Sequence, residues 1–63
     1  MTVISIHNNK CSVTYQKEGV NWIETWKIDG KTIAEKRGNT TDAVRQYVER
    51  LKCKGMEVEY KIA

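Results

Sequence analysis

The chain contains no proline and no phenylalanine, and its 63 residues include one histidine and two cysteines. Turns must therefore form without proline, and a buried aromatic residue has to be tryptophan or tyrosine. Two cysteines are too few for a disulfide scaffold, and the spacing of Cys11 and Cys53 fits no zinc-binding pattern. We therefore expect two reduced thiols, as is usual in the cytoplasm.

Long apolar runs and a strong charge bias are also lacking. The first ten residues do not have the charged and apolar segments of a signal peptide, and no run approaches the roughly 20 apolar residues of a membrane span. The net charge of +3, from 11 basic and 8 acidic residues, permits an acidic partner without requiring one. We expect one small cytoplasmic domain over residues 1–63, a monomer or weak dimer with no membrane association.

Alternating apolar and polar residues predict four antiparallel strands in the first part of the chain. The predicted strands cover residues 2–7, 11–17, 22–28 and 31–37. Asn8-Asn9 would close the first hairpin as a two-residue turn, which places Ile6 opposite Cys11. A looser turn around Gly19 precedes the third strand.

Asp29-Gly30 is the strongest hairpin signal in the chain, because a type I′ turn needs positive φ at both positions. This turn would place Trp26 opposite Ile33. It would also set two glutamates opposite each other, which is unfavourable unless a bulge shifts the register. The predicted core face of this hairpin holds Trp22, Trp26, Ile28 and Ile33, and the predicted outer face holds Ile23, Thr25, Lys27, Thr32, Ala34 and Lys36.

A helix and a fifth strand complete the predicted fold. Gly38-Asn39 would end the fourth strand, Thr40 or Thr41 would cap the helix, and Gly55 would follow it. Apolar residues at helical spacing form one stripe that comprises Val44, Tyr47, Val48 and Leu51. A strict period of two follows from residue 56. We predict an α+β fold, β-β-β-β-α-β, in which one helix covers one face of a meander and the fifth strand lies beside the first.

No group of residues is expected to form a catalytic site. His7 is a lone histidine near a turn, and Glu57 and Glu59 share a strand face typical of a solvated edge. The glycines occupy turns and a helix cap, so no phosphate-binding loop is indicated. We expect a non-enzymatic protein with no cofactor and no metal site.

The predicted outer sheet face collects short polar side chains and cations, which are the groups that contact phosphates. Its members include Ser5, His7, Ser12, Thr14 and Gln16, and the candidate nucleic-acid-binding residues are Thr25, Lys27, Thr32, Lys36 and Arg37. The same composition is usual on any solvent-exposed sheet, so both interpretations stay open. The helix exterior, with Arg45, Glu49 and Arg50, mixes signs and is expected to be an ordinary solvated surface.

Residues 12–54 resemble the small three-strand-plus-helix N-terminal DNA-binding domain of phage-type tyrosine integrases. The resemblance is carried by Trp26, Asp29-Gly30, Lys31, Lys36-Arg37, Gly38, Thr40-Thr41 and Ala43. It implies a sheet face that enters the DNA major groove through Thr25, Lys27, Thr32 and Lys36. The chain departs from the family at Asn39, where an aromatic residue is usual, and in its fifth strand.

Two functions are consistent with these patterns. The first is a nucleic-acid-binding, most directly DNA-binding, module that uses the outer sheet face. The second is a protein-interaction module of the kind that phages and mobile elements encode, an inhibitor or adaptor of a host protein, recruited for example through an exposed sheet edge.

Overall fold

One antiparallel sheet of five strands with a single helix on one face makes up residues 2–62, which the computed structural model describes. The elements in chain order are β1 (Thr2–His7), β2 (Cys11–Glu18), β3 (Asn21–Ile28), β4 (Lys31–Asn39), α1 (Thr41–Cys53) and β5 (Glu57–Ile62). The strand order in the sheet is β4-β3-β2-β1-β5. The predicted α+β fold is confirmed, including the position of the fifth strand beside the first. No helix within residues 2–62 is long and apolar enough to cross a membrane.

Local signals at both ends of α1 fix its length. The Thr40 hydroxyl accepts a hydrogen bond from the Ala43 amide at 3.2 Å, as an N-cap residue should. At the other end, the Met56 amide donates to the Leu51 carbonyl at 3.2 Å, across Gly55, which has φ +87°. This is a Schellman cap, in which a glycine in the left-handed region satisfies the last carbonyls of the helix.

The core lies between α1 and the middle of the sheet. Its buried apolar residues are Ile4, Ile6, Val13, Tyr15, Trp22, Val44, Val48 and Leu51. Trp26, Met56 and Val58 are partly buried against it. The helix packs mainly on β1, β3 and β5, whereas β4 is exposed along its length except at Asn39.

The first hairpin is two residues out of the predicted register. Ile6 pairs with Val13 rather than with Cys11, because the connection after His7 is longer than a two-residue turn. The Asn8 side chain accepts hydrogen bonds from the Lys10 and Cys11 amides at 2.9 and 2.8 Å, which stabilises this wider loop. A shift of two residues keeps each side chain on its predicted face.

The second hairpin begins with the predicted Asp29-Gly30 turn, where φ is +51° and +80°. Beyond the pair of Lys27 with Thr32, the register shifts by one residue, so that Trp26 pairs with Ala34. A second irregularity follows nearer the helix, where Gly38 has φ +85°. β4 therefore continues through Gly38 to Asn39 instead of ending before them.

The register shift corrects the predicted faces of β4. Ile33 was expected in the core, but 56% of its surface is exposed, and Ile28 is also exposed. Ala34 and Lys36 were expected on the outer face, but their partners Trp26 and Glu24 lie on the helix side. The bulge also separates the two glutamates, since Glu24 pairs with Lys36.

Candidate functional site

The predicted nucleic-acid-binding residues do not share one face of the sheet. Thr25 and Lys27 pair with Thr14 and Ser12 on the open face, opposite to the helix. Thr32 pairs with Lys27 and joins them, and Arg37 also reaches this face. Lys36 does not, because its partner Glu24 lies on the helix side. The bulge in β4 thus divides the predicted site.

Carboxylates occupy much of the open face. The Arg37 guanidinium lies 3.5 Å from a carboxylate oxygen of Glu18 and 3.2 Å from one of Glu35. The His7 Nε2 atom lies 3.8 Å from Glu57 and 3.6 Å from Glu59. The cations on this face are Lys27, Arg37 and Lys61, and the carboxylates are Glu18, Glu35, Glu57 and Glu59. The open face is therefore close to neutral or slightly acidic, and it is not a basic patch.

The helix side of the molecule carries most of the positive charge. Its cations are Lys17, Lys31 and Lys36 from the sheet and Arg45, Arg50, Lys52 and Lys54 from the helix and its C-cap. Within residues 2–62, the exposed carboxylates on this side are Asp42 and Glu49, while Asp29 and Lys10 lie in turns at one end of the sheet. Since the chain as a whole has a net charge of only +3, the fold separates charge that the sequence distributes almost evenly.

The third acidic residue on this side, Glu24, is withdrawn from the surface. It is 9% exposed and accepts a hydrogen bond from the Tyr15 hydroxyl at 2.8 Å and another from Trp26 Nε1 at 2.6 Å. Burial, and secondarily the hydrogen bond to Glu24, raises the pKa of Tyr15. Sequence reasoning did not predict this network. Its one signal is a glutamate at a core-face position between two tryptophans.

Trp22 joins the sheet to the start of the helix. Its indole Nε1 donates a hydrogen bond to the Thr41 hydroxyl at 3.1 Å, and its ring is buried. The Lys17 ammonium lies 6.0 Å from the centre of the same ring, within range of a cation–π interaction. This contact keeps the ammonium group of Lys17 on the helix side.

A half-open cleft of about 270 Å³ lies between α1 and the β1–β5 side of the sheet. Its lining comprises Thr2, Ile4, Trp22, Thr41, Val44, Arg45, Val48, Glu49 and Tyr60. The floor is apolar, since Ile4, Trp22, Val44 and Val48 are buried core residues. At the rim, Arg45 and Glu49 are exposed, and Tyr60 leaves 61% of its surface in solvent.

A second exposed tyrosine, Tyr47, lies on the opposite flank of the helix. Its side chain is 41% exposed. It borders a smaller hollow of about 180 Å³ with Ala43, Gln46 and Arg50. Both flanks of α1 thus present an aromatic ring next to an arginine.

Other chemistry is sparse in the described chain. Cys11 and Cys53 are free, and Cys53 is exposed. No set of three or more histidine, cysteine or acidic side chains within residues 2–62 is arranged to hold a metal ion.

The fold and its charges define the protein as a small α+β domain with a basic helix side. Comparison of the chain with protein-family models, with curated proteins and with solved structures gave no match. The resemblance to integrase N-terminal domains accordingly stays a prediction.

Proposed function

We propose that this protein is a non-enzymatic, cytoplasmic nucleic-acid-binding module that contacts the phosphate backbone with the helix side of its sheet. The observation that carries the proposal is the separation of charge across the sheet. A polyanion is attracted to clustered arginines and lysines, and its binding is strongest where few carboxylates oppose it. The helix side meets this condition, and the open face does not.

The composition of the helix side supports a nucleic acid more than a small anion. Its cations lie on α1, at the helix C-cap Lys54, and on β4 at Lys36. Several cations on one side of a molecule can contact several phosphates of one nucleic-acid backbone. The exposed Tyr60, beside the helix, adds an aromatic surface on which a base can stack.

Two double variants test the proposal against the sheet-face interpretation. Arg45→Glu with Arg50→Glu removes two cations from the helix side, and Lys27→Glu with Lys61→Glu removes two from the open face. Both variants have the same net charge, so only the location differs. Binding to fluorescent DNA and RNA is measured by anisotropy at several salt concentrations.

We expect the helix-side variant to lose most of its affinity and the sheet-face variant to retain it. Two lost phosphate contacts would also lower the salt slope by about 1.8 on duplex DNA, from about 0.9 per contact. Circular dichroism checks that both variants stay folded. Salt-insensitive or undetectable binding by the wild type at micromolar protein would refute the proposal. A larger loss of affinity in the sheet-face variant than in the helix-side variant would place the site at Thr25, Lys27 and Thr32.

One observation favours a protein-interaction module, such as a phage-type inhibitor or adaptor, as a second candidate. Ile28 and Ile33 are both exposed near the tip of the β3–β4 hairpin, at the edge of the sheet. Exposed aliphatic residues at a sheet edge are suited to contact with another protein. Under this alternative, Ile28→Ser with Ile33→Ser would abolish capture of a host protein and leave nucleic-acid binding unchanged.

A further inference from the structure

We infer that the cleft between α1 and β5 receives a base of a single-stranded nucleic acid, with the base stacked against Tyr60 and the adjoining phosphate at Arg45. The inference rests on the proposed function and names the form of nucleic acid that the site takes. Its starting point is the combination of an apolar floor, an exposed aromatic ring and a cation in one concavity of about 270 Å³. A nucleotide has the complementary features, since its base is a flat ring and its phosphate is negatively charged.

The floor of the cleft is apolar and can cover one face of a base. Ile4, Val44 and Val48 are buried residues that the cleft nevertheless reaches, so a flat ring placed there would cover apolar atoms. Tyr60 is 61% exposed although it lies on the core-facing side of β5, opposite Ile4. A tyrosine held at the rim of an apolar cleft is well placed to stack on a base.

The charges at the rim indicate how the nucleotide would be oriented. Arg45 supplies a guanidinium, which binds a phosphate through paired hydrogen bonds. Glu49, one helical turn later, would repel a phosphate but can accept a hydrogen bond from the amino group on a base edge. The phosphate therefore belongs at the Arg45 end, and the base edge at Glu49.

This geometry selects single strands. A base in a paired duplex is stacked on both faces and reaches such a cleft only after it is flipped out, which costs a few kcal/mol. In a single strand the base is already available, and stacking on an aromatic residue is worth about 1–3 kcal/mol per base. The other class of ligand with this chemistry is a protein segment with an aromatic and an acidic residue, which becomes the candidate occupant if none of the nucleic acids in the test binds.

The test compares a mixed-sequence DNA 12-mer, the same sequence as RNA, and the DNA duplex, each titrated with the full chain at one salt concentration. We expect at least tenfold tighter binding of single strands than of the duplex. Tyr60→Ala should weaken single-strand binding fivefold or more, the lower end of the measured range for one stacked base, without a change in salt slope. Tyr60→Phe should restore it, because the ring is retained.

Arg45→Gln should lower the salt slope on single strands by about 0.7, the value for one contact. Tyr47→Ala on the opposite helix flank is the matched control and should change affinity less than twofold. In the proton–nitrogen spectrum, the indole signal of Trp22, which lines the cleft, should shift on binding more than that of Trp26.

The outcomes separate this inference from the proposed function. Salt-sensitive binding that is equal for duplex and single strand, or that responds to Tyr47→Ala and not to Tyr60→Ala, overturns the cleft and leaves the basic helix side in place. Absence of binding to all three nucleic acids overturns both. The cleft is supported if single strands of either RNA or DNA bind more tightly and Tyr60→Ala weakens that binding. The preferred strand then shows whether the ligand is RNA or DNA.

Discussion

At the scale of single residues, the most informative feature is the carboxylate of Glu24 beneath the helix. A buried carboxylate is costly unless hydrogen bonds satisfy it, and here Tyr15 and Trp26 each provide one. The side-chain nitrogen and oxygen atoms that are fully buried in the described part of the chain all have partners. The network links β2 to β3 and holds the Trp26 ring in place. It also keeps a negative charge away from a surface that is otherwise basic.

The network predicts that Tyr15→Phe destabilises the protein. The substitution removes one donor and leaves Glu24 buried with an oxygen unsatisfied, which costs about 1–3 kcal/mol in the free energy of unfolding. Urea unfolding at neutral pH measures the effect. Tyr47→Phe, at an exposed tyrosine, is the control and should stay within about 0.5 kcal/mol of wild type. Equal stability of Tyr15→Phe and wild type would mean that the hydrogen bond to Glu24 contributes nothing.

The raised pKa of Tyr15 adds a pH dependence whose sign is defined. The neutral phenol is favoured in the folded state, whereas in the unfolded chain it ionises with the ordinary pKa of about 10. Its contribution to stability is complete below that pH and is lost as the pH rises above it, because only the unfolded state releases the proton. The difference in unfolding free energy between wild type and Tyr15→Phe should therefore narrow above about pH 10. A difference that widens there would contradict the assignment.

At the scale of elements, the irregular pairing of β4 decides which side chains are buried. One extra residue in an antiparallel strand turns the following side chains to the other face. Here it moves Ile33 out to solvent and brings Ala34 and Lys36 to the helix side. Trp22, which precedes the register changes on β3, is buried and hydrogen-bonded to the helix.

These positions predict opposite outcomes for two large apolar residues in one hairpin. Trp22→Ala should cost about 3–5 kcal/mol, because it leaves a cavity under the start of α1 and removes the hydrogen bond to Thr41. Ile33→Ala should stay within about 0.5 kcal/mol of wild type, because its side chain is exposed. Thermal and urea unfolding measure the change in stability of both variants. A cost of about 2–5 kcal/mol for Ile33→Ala would indicate a core position and a regular hairpin without the bulge.

At the scale of the whole molecule, the sheet separates two surfaces of different charge. Each surface is assembled from several elements, so neither is evident in any one segment of the sequence. On the open face, two of the basic side chains, Arg37 and His7, lie beside carboxylates. On the helix side, the sheet and the helix both contribute cations, and few exposed carboxylates accompany them.

The separation predicts unequal retention of two variants of equal net charge on heparin, a polyanion without base sequence. Lys36→Glu with Lys52→Glu alters the helix side, and Lys27→Glu with Lys61→Glu alters the open face. The helix-side variant should elute at a clearly lower salt concentration, since a polyanion binds to the local charge that it meets and not to the net charge. Elution of both variants at the same salt concentration would show that the two sides do not differ in effective charge.

Much of the fold follows from local patterns that are visible in the sequence. Period-two alternation, the Asp29-Gly30 turn, a threonine cap and a glycine after the helix each act over a few residues, and each determined its element. The placement of the fifth strand also followed, since chain direction and the position of the helix leave an antiparallel partner in β1. The same patterns placed Lys27 and Thr32 correctly on the open face.

The sequence by itself determined the elements, their order and most of the buried residues, because these follow from residue patterns that span a few neighbouring positions in the chain. Only the tertiary structure decided the register of β4, the burial of Glu24 and the side on which the cations gather. A bulge has no reliable residue signature, and its consequence for every later side chain depends on the pairing with another strand. Charge separation is likewise a sum over residues far apart in sequence, and it exists only once the sheet has assigned each of them to a face.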